Sequence, residues 1–321
     1  MISTLGSLAL IWLGLWCVLT LLLRLAYPLL RPTLMRLHPR HGSTLLLLTW
    51  AAPATLSLLA SLMLYSPLVK GLLVSPHCHG NCLQHAPQTS ALSVALLGLA
   101  LAVIAVGGLL AGFVRNWWNG ANMLRQFEAL ATPKAGYQLL DSSSPLVFTL
   151  GWWNPQVFIS RGLHQQCSAQ QLSVILGHEQ AHRERRDNLR LLLLRVFCLV
   201  LPARARHRII HDLQILSEQA CDFAAATKYG ALAVAETLVH VGRLVKHSSR
   251  PENSVAFDGG DLALRVKALL DADARSVLRS WQMLAIIIVT GFVMLLALDP
   301  LHHSAEWAMA QLDNSGLHFH W

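Results

Sequence analysis

Four stretches of this 321-residue chain are long, apolar and free of Lys, Arg, Asp and Glu: Ser3–Leu23, Thr44–Val69, Ala91–Val114 and Trp281–Leu298. A bilayer core of ~30 Å takes roughly 20 residues of helix, so each run reaches or approaches a full crossing. Composition agrees. Charged residues make up 13% of the chain and apolar ones 54%, whereas soluble domains carry about 25% charged residues. The sequence therefore describes a polytopic membrane protein, mainly α-helical. Its first run lacks the positive n-region and small-residue cleavage site of a signal peptide and reads as a retained anchor.

Charge placement predicts the orientation, because Lys and Arg collect in short cytoplasmic loops. Arg24, Arg31, Arg36 and Arg40 fill the connection at 24–43 without an acid, whereas the connection at 70–90 holds Lys70 alone. Arg115 follows the third run, Arg275 and Arg279 precede the fourth, and neither Lys nor Arg follows Asp299. The expected layout is a three-span region over 1–114, with 24–43 inside and 70–90 outside. A cytoplasmic domain follows over 115–280, then a fourth span at 281–299 and a short outer tail at 300–321. Both termini then lie outside. The net charge of +8 is mostly a topology signal; the 20 basic and 14 acidic groups of 115–280 are too evenly balanced for direct nucleic-acid binding.

Within 115–280, Leu146–Leu150 and Gln156–Ser160 are short β-rich runs separated by Gly151-Trp-Trp-Asn-Pro155, the pattern of a hairpin or a pair of edge strands. Helices are expected after that. Ser168 is placed to cap one over Gln170–Arg186, with others over His207–Ala226 and Leu232–Val245. Leu189–Leu201 is apolar but interrupted by Arg190 and Arg195, which are expensive at the bilayer centre. It reads as a helix lying on the inner membrane face, with a buried core helix as the alternative.

The chemistry sits in His178-Glu179-Gln180-Ala181-His182. Spacing of i and i+4 puts both imidazoles on one face of a helix, where two ring nitrogens can grip one Zn²⁺, with Glu179 as general base for its water. With 16 His in the chain, chance yields roughly 0.02 such motifs. A zinc ion needs a third protein ligand, and Glu218-x-x-x-Asp222 supplies a candidate: Glu218 ligates while Asp222 accepts the free N–H of a zinc-bound histidine.

On the outer side, His77, Cys78, His79 and Cys82 either bind a metal or leave a Cys78–Cys82 disulfide among ordinary polar residues; His302 and His303 lie in the expected tail. Gly108 and Gly112 form a small-xxx-small pair for close helix packing, within the chain, in a homodimer or with another membrane partner.

Leu150–Leu163, Ser168–Leu172, Gly177–Asn188 and Glu218–Asp222, with three spans before and one after, resemble the BlaR/MecR-type transmembrane metallopeptidases, the sensor-transducers of β-lactam and methicillin resistance. The resemblance covers roughly residues 1–300. It implies a cytoplasmic α+β gluzincin zinc-protease domain between the third and fourth spans, in the inner membrane of a bacterium. It also implies one Zn²⁺ per chain on His178, His182 and Glu218, Glu179 as catalyst and Asp222 behind the ligands. Val157, Phe158, Ile159 and Ser160 would form an edge strand that pairs with an extended substrate, a protein or peptide such as a transcriptional repressor. In those sensors a large external penicillin-binding domain follows the last span; here Pro300–Trp321 stands there, and no Ser-x-x-Lys occurs, so direct acylation by β-lactams is not expected. The HtpX and CAAX-prenyl-protease group shares HExxH with a later ExxxD and offers membrane quality control or peptide processing instead. A metal-sensing membrane receptor without proteolysis is a third reading, opposed by the intact Glu179.

Overall fold

The computed structural model describes residues 1–66, 87–247, 259–271 and 279–314. Its elements are α1 (Ile2–Arg36), α2 (Pro39–Tyr65), α3 (Leu92–Leu130), β1 (Ala131–Lys134), β2 (Tyr137–Leu140), β3 (Val147–Leu150) and β4 (Gln156–Ser160). Then come α4 (Arg161–Gln166), α5 (Ala169–Arg185), α6 (Asp187–Phe197), α7 (Ala203–Tyr229), α8 (Ala231–His247), α9 (Gly259–Leu270), α10 (Ser280–Leu296) and α11 (Leu298–Asn314). The chain divides into two units, one of Met1–Leu30, Leu48–Ala111 and Leu278–Trp321, the other of Arg31–Leu47 and Gly112–Val277.

Among the described residues, α1, α2 and α3 are each long and apolar enough to cross a membrane, and Ile288–Leu296 of α10 with α11 reaches that length as a pair bent by 46°. The first unit's core gathers Ile11, Ala60, Leu64, Leu298 and Met309. Small residues do bring segments together, both at the pair the sequence marks, where a Cβ on Gly112 would lie 2.5 Å from Leu199 Cδ1, and at a second place. A Cβ on Gly6 would run into the backbone of Ala95, and one on Gly98 would lie 2.6 Å from the Gly6 carbonyl, so α1 and α3 cross backbone to backbone there. A Cβ on Gly108 would meet nothing within 4 Å. The expected outer tail is helical as far as the described residues reach, at Asn314; its Asp313 accepts from the Thr89 hydroxyl and, at 2.8 Å each, from the Ser90 amide and hydroxyl, capping the start of α3. His302 is buried on α11, its Nε2 3.2 Å from Glu306 Oε1. His77, Cys78, His79 and Cys82 lie outside the described residues.

The second unit takes in the expected inner loop, which is helical: α1 runs on to Arg36 and α2 begins at Pro39. Arg31 holds this segment to α7 with Nε and Nη2 each 2.7 Å from the buried Asp212 carboxylate. The sheet has the order β1-β2-β4-β3. β1 and β2 are antiparallel, β2 and β4 parallel, and β3 pairs antiparallel with β4 in the register Val147↔Ile159 to Leu150↔Gln156. The β3–β4 hairpin is the one the sequence marks; β1 and β2 are not legible there, being four residues each with Pro133 inside one and Gly136 at φ 90° between them.

Packing on this sheet follows the helical pattern. Ser168 caps α5 in a reciprocal capping box with Gln171, satisfying amide groups the first turn leaves unpaired. Val157, Ile159, Leu163 and Ile175 join β4 to α5 in one core, and Val174, Ala225, Val234 and Leu269 join α5 to α7, α8 and α9 in another. On α6, Leu192 and Leu194 are fully buried, with Cys198 just beyond it. Leu192, Leu194, Cys198 and Leu201 are buried, so one face of the stretch at 189–201 belongs to the core of this unit, while Val200 is exposed.

Candidate metal centre

One turn of α5 carries His178 and His182, and α7 passes opposite with Glu218. His178 Nε2 and His182 Nε2 lie 3.1 Å apart. Glu218 completes a triangle, Oε2 lying 3.4 Å from His178 Nε2 and Oε1 3.3 Å from His182 Nε2. Bonds of about 2.0–2.1 Å in a tetrahedral zinc site place neighbouring ligand atoms ~3.4 Å apart, so the triangle has the size of an ion's ligand set. The far ring atoms both meet carboxylates. His178 Nδ1 sits 2.9 Å from Asp222 Oδ1, and His182 Nδ1 the same distance from Asp187 Oδ2. His182 Nδ1 is hydrogen-bonded to Asp187 and His178 Nδ1 lies against Asp222, which leaves both Nε2 atoms converging on Glu218 as potential ligands. Three converging acceptors are the donor set a cation satisfies.

Arg265 on α9 organises the carboxylates. Its Nη1 lies 3.0 Å from Glu218 Oε2, while Nε and Nη2 each donate at 2.7 Å to Asp222. Burial opposes ionisation of Asp222, but Arg265 and His178 outweigh it and hold the carboxyl below its ordinary value. Glu218 is likewise held well below the usual range: desolvation is overcome by Arg265, His182 and His178. A second trio, His182, Asp187 and Cys221, also converges. Arg185 Nε sits 3.2 Å from Asp187 Oδ2 and His182 Nδ1 2.9 Å from the same oxygen, so Asp187 in this trio is engaged in supporting His182.

Glu179 is buried beside the triangle, where Thr149 on β3 donates to its Oε2 at 2.6 Å. A cleft of about 370 Å³ opens here, lined by Val147, Phe148, Thr149, His178, Glu179, His182, Glu218 and Arg265 among others. The strand at the cleft is β3. Val157, Phe158, Ile159 and Ser160, expected as a substrate-binding edge, form the body of β4, which is paired on both sides and buried. The correction has a simple cause: β2, invisible in the sequence, covers the edge that β4 would otherwise present.

Residues 115–254 match the model of peptidase family M48. No curated protein and no solved structure matches the chain. Peptidases of family M48 are zinc-dependent, and the His178, His182 and Glu218 group of the M48-like segment suits that metal. Together with the apolar helices, the match supports a membrane metallopeptidase. The supports of this M48-like site are what sequence reasoning missed: Asp187, Thr149, Asn188 and Arg265. Asp187 lies five residues beyond His182 and carried a local signal. Asn188 Nδ2, donating to the carbonyls of Thr149 and Gly151 at 2.9 and 3.3 Å, and Arg265, 43 residues beyond Asp222, carried none.

Proposed function

We propose that this protein is an integral-membrane zinc endopeptidase whose catalytic domain is cytoplasmic and whose termini lie outside. The observation that carries the reading is the convergence of His178, His182 and Glu218 within 3.1–3.4 Å, with Glu179 pinned beside them. A zinc ion bound there supplies a Lewis acid for the scissile carbonyl and acidifies water. Thr149 occupies Oε2 of Glu179, so Oε1 takes the proton from the attacking water and returns it to the leaving amine. The Thr149 carbonyl accepts from Asn188 and so points away from β4; in an antiparallel ladder the outward positions alternate, which makes Val147 the next outward residue. An extended peptide pairing with β3 at Val147 passes Glu179.

The substrate reading follows the resemblance to the sensor-transducers: a cytoplasmic repressor or another protein, cleaved in response to a signal. A quality-control or peptide-processing role is the second reading, carried by the resemblance of HExxH with a later ExxxD to the HtpX and CAAX-prenyl-protease group. Proteomics of cells carrying wild type or Glu179→Gln tests both: a persisting transcriptional regulator supports the first, and accumulating membrane proteins or peptides the second. If no protein differs while the purified chain holds zinc, the peptidase reading fails.

A further inference from the structure

A second groove, of about 350 Å³, lies between α3 and α6 and meets the catalytic cleft at Asn188, which lines both. One wall is the face of α3 carrying Asn116, Asn119 and Met123; the other is the face of α6 carrying Asn188, Leu191 and Arg195, each set spaced i, i+3, i+7. Arg195 is half-buried, and among the described residues no carboxylate or other acceptor holds it. Burial lowers its pKa from the ordinary value without any opposing acid. Asn119 is also unengaged among the described residues. A desolvated guanidinium with no counter-ion among the described residues, facing an open groove, is matched by a planar fork of anionic oxygens, a phosphate or a carboxylate.

The level of the groove along α3 favours phosphate. A Cβ on Gly112 of α3 would meet Leu199 Cδ1 at 2.5 Å, so the residues just beyond α6 lie beside Gly112–Val114, the last residues of the apolar run of α3. That stretch ends at Val114. Asn116 and Asn119 follow at about 3 and 7.5 Å along the axis, the thickness of the headgroup layer of one leaflet, roughly 5–7.5 Å. Aromatic residues surround the level. Trp117 stacks on Phe113 and on Trp152, their centroids 5.9 and 6.0 Å apart, while Trp118 and Trp153 are exposed. Tryptophans gather at the membrane–water interface, and basic pockets beside membrane helices hold anionic headgroups.

We propose that the α3–α6 groove binds the headgroup of an anionic phospholipid through Arg195 and Asn119. The inference rests on the reading that α3 crosses the bilayer. A headgroup seated there braces Trp152, Gly151 and Asn188, and Asn188 holds the carbonyls of the strand that borders the cleft.

The test uses the full-length protein in nanodiscs of phosphatidylcholine with and without phosphatidylglycerol, with bound lipid read by native mass spectrometry. Wild type is expected to retain phosphatidylglycerol selectively, Arg195→Gln to lose about tenfold in retention, and Arg195→Lys to fall between, all with unchanged zinc content. Equal retention by Arg195→Gln overturns the proposal. So does displacement of the lipid by millimolar inorganic phosphate, which would mark a site for the free anion. If Arg195→Gln leaves lipid retention intact but alters cleavage next to acidic residues in a peptide library, the groove is a peptide subsite and the proposal fails. A chain that does not enter phosphatidylcholine nanodiscs overturns the membrane reading itself, a failure distinct from loss of lipid selectivity.

Discussion

Thr149 Oγ1 and Glu179 Oε2 are 2.6 Å apart, so the strand bordering the cleft and the catalytic carboxylate are joined by a single hydrogen bond. The bond leaves one carboxylate oxygen for water and fixes its direction. A hydrogen bond to a charged group contributes about 1.5–3 kcal/mol. Thr149→Val is therefore expected to lower kcat about ten- to hundredfold while zinc content and peptide KM stay near wild type. A KM effect alone would show that Thr149 serves the strand and not Glu179.

Metal content separates ligands from the base. Purified wild type is expected to hold about one Zn²⁺ per chain by mass spectrometry of the metal. His178→Ala, His182→Ala and Glu218→Ala should lose it, and chelation should abolish cleavage in wild type. Glu179→Gln should keep zinc and lose activity, because Glu179 moves a proton and lies outside the ligand triangle. Zinc loss in Glu179→Gln would refute that division.

Arg265 is 4% exposed and faces two carboxylates. Removing one partner of a buried ion pair leaves an uncompensated charge and costs about 3–5 kcal/mol, so Arg265→Leu should lower the thermal midpoint and weaken zinc binding together. The pH dependence carries a sign. Asp222 has a folded pKa below its ordinary 3.8, so its contribution is present above about pH 4 and is lost as pH falls through the folded value. Wild type should therefore lose stability on that acid limb, and Arg265→Leu should show a flatter one in thermal scans of the metal-free protein.

Orientation can be read with reporters. A fusion at Trp321 is expected outside and an insertion at Gly259–Gly260 inside, since the basic residues flanking the last apolar run lie on its N-terminal side. A cytoplasmic C-terminus would remove the fourth crossing and with it the match to the sensor-transducer layout.

Local chemistry was legible wherever a short-range pattern carries it. The apolar runs mark α1, α2 and α3 because hydrocarbon thickness sets a length. Ser168 marks the start of α5 because a cap acts three residues ahead, and the i, i+4 spacing puts His178 and His182 on one face before any fold is known. The β3–β4 hairpin was legible through the Gly and Pro between its strands. Long-range pairing decided the rest. Which strand borders the cleft depends on β2 lying beside β4, a contact no local pattern encodes; the sheet edge therefore passed from Val157–Ser160 to Val147–Leu150. The tight crossing of α1 and α3 fell at Gly6 and Gly98 because only the packed helices reveal which glycine faces a backbone. Arg265 and Asn188 joined the site through contacts that require the tertiary fold, and only the fold shows that one face of 189–201, with Leu192 and Leu194, is buried. By itself the sequence determined the metal-binding motif and the long apolar helices, both products of spacing within one segment. Tertiary structure alone decided the supporting carboxylate and guanidinium partners and the open strand edge, because those depend on segments far apart in the chain meeting in space.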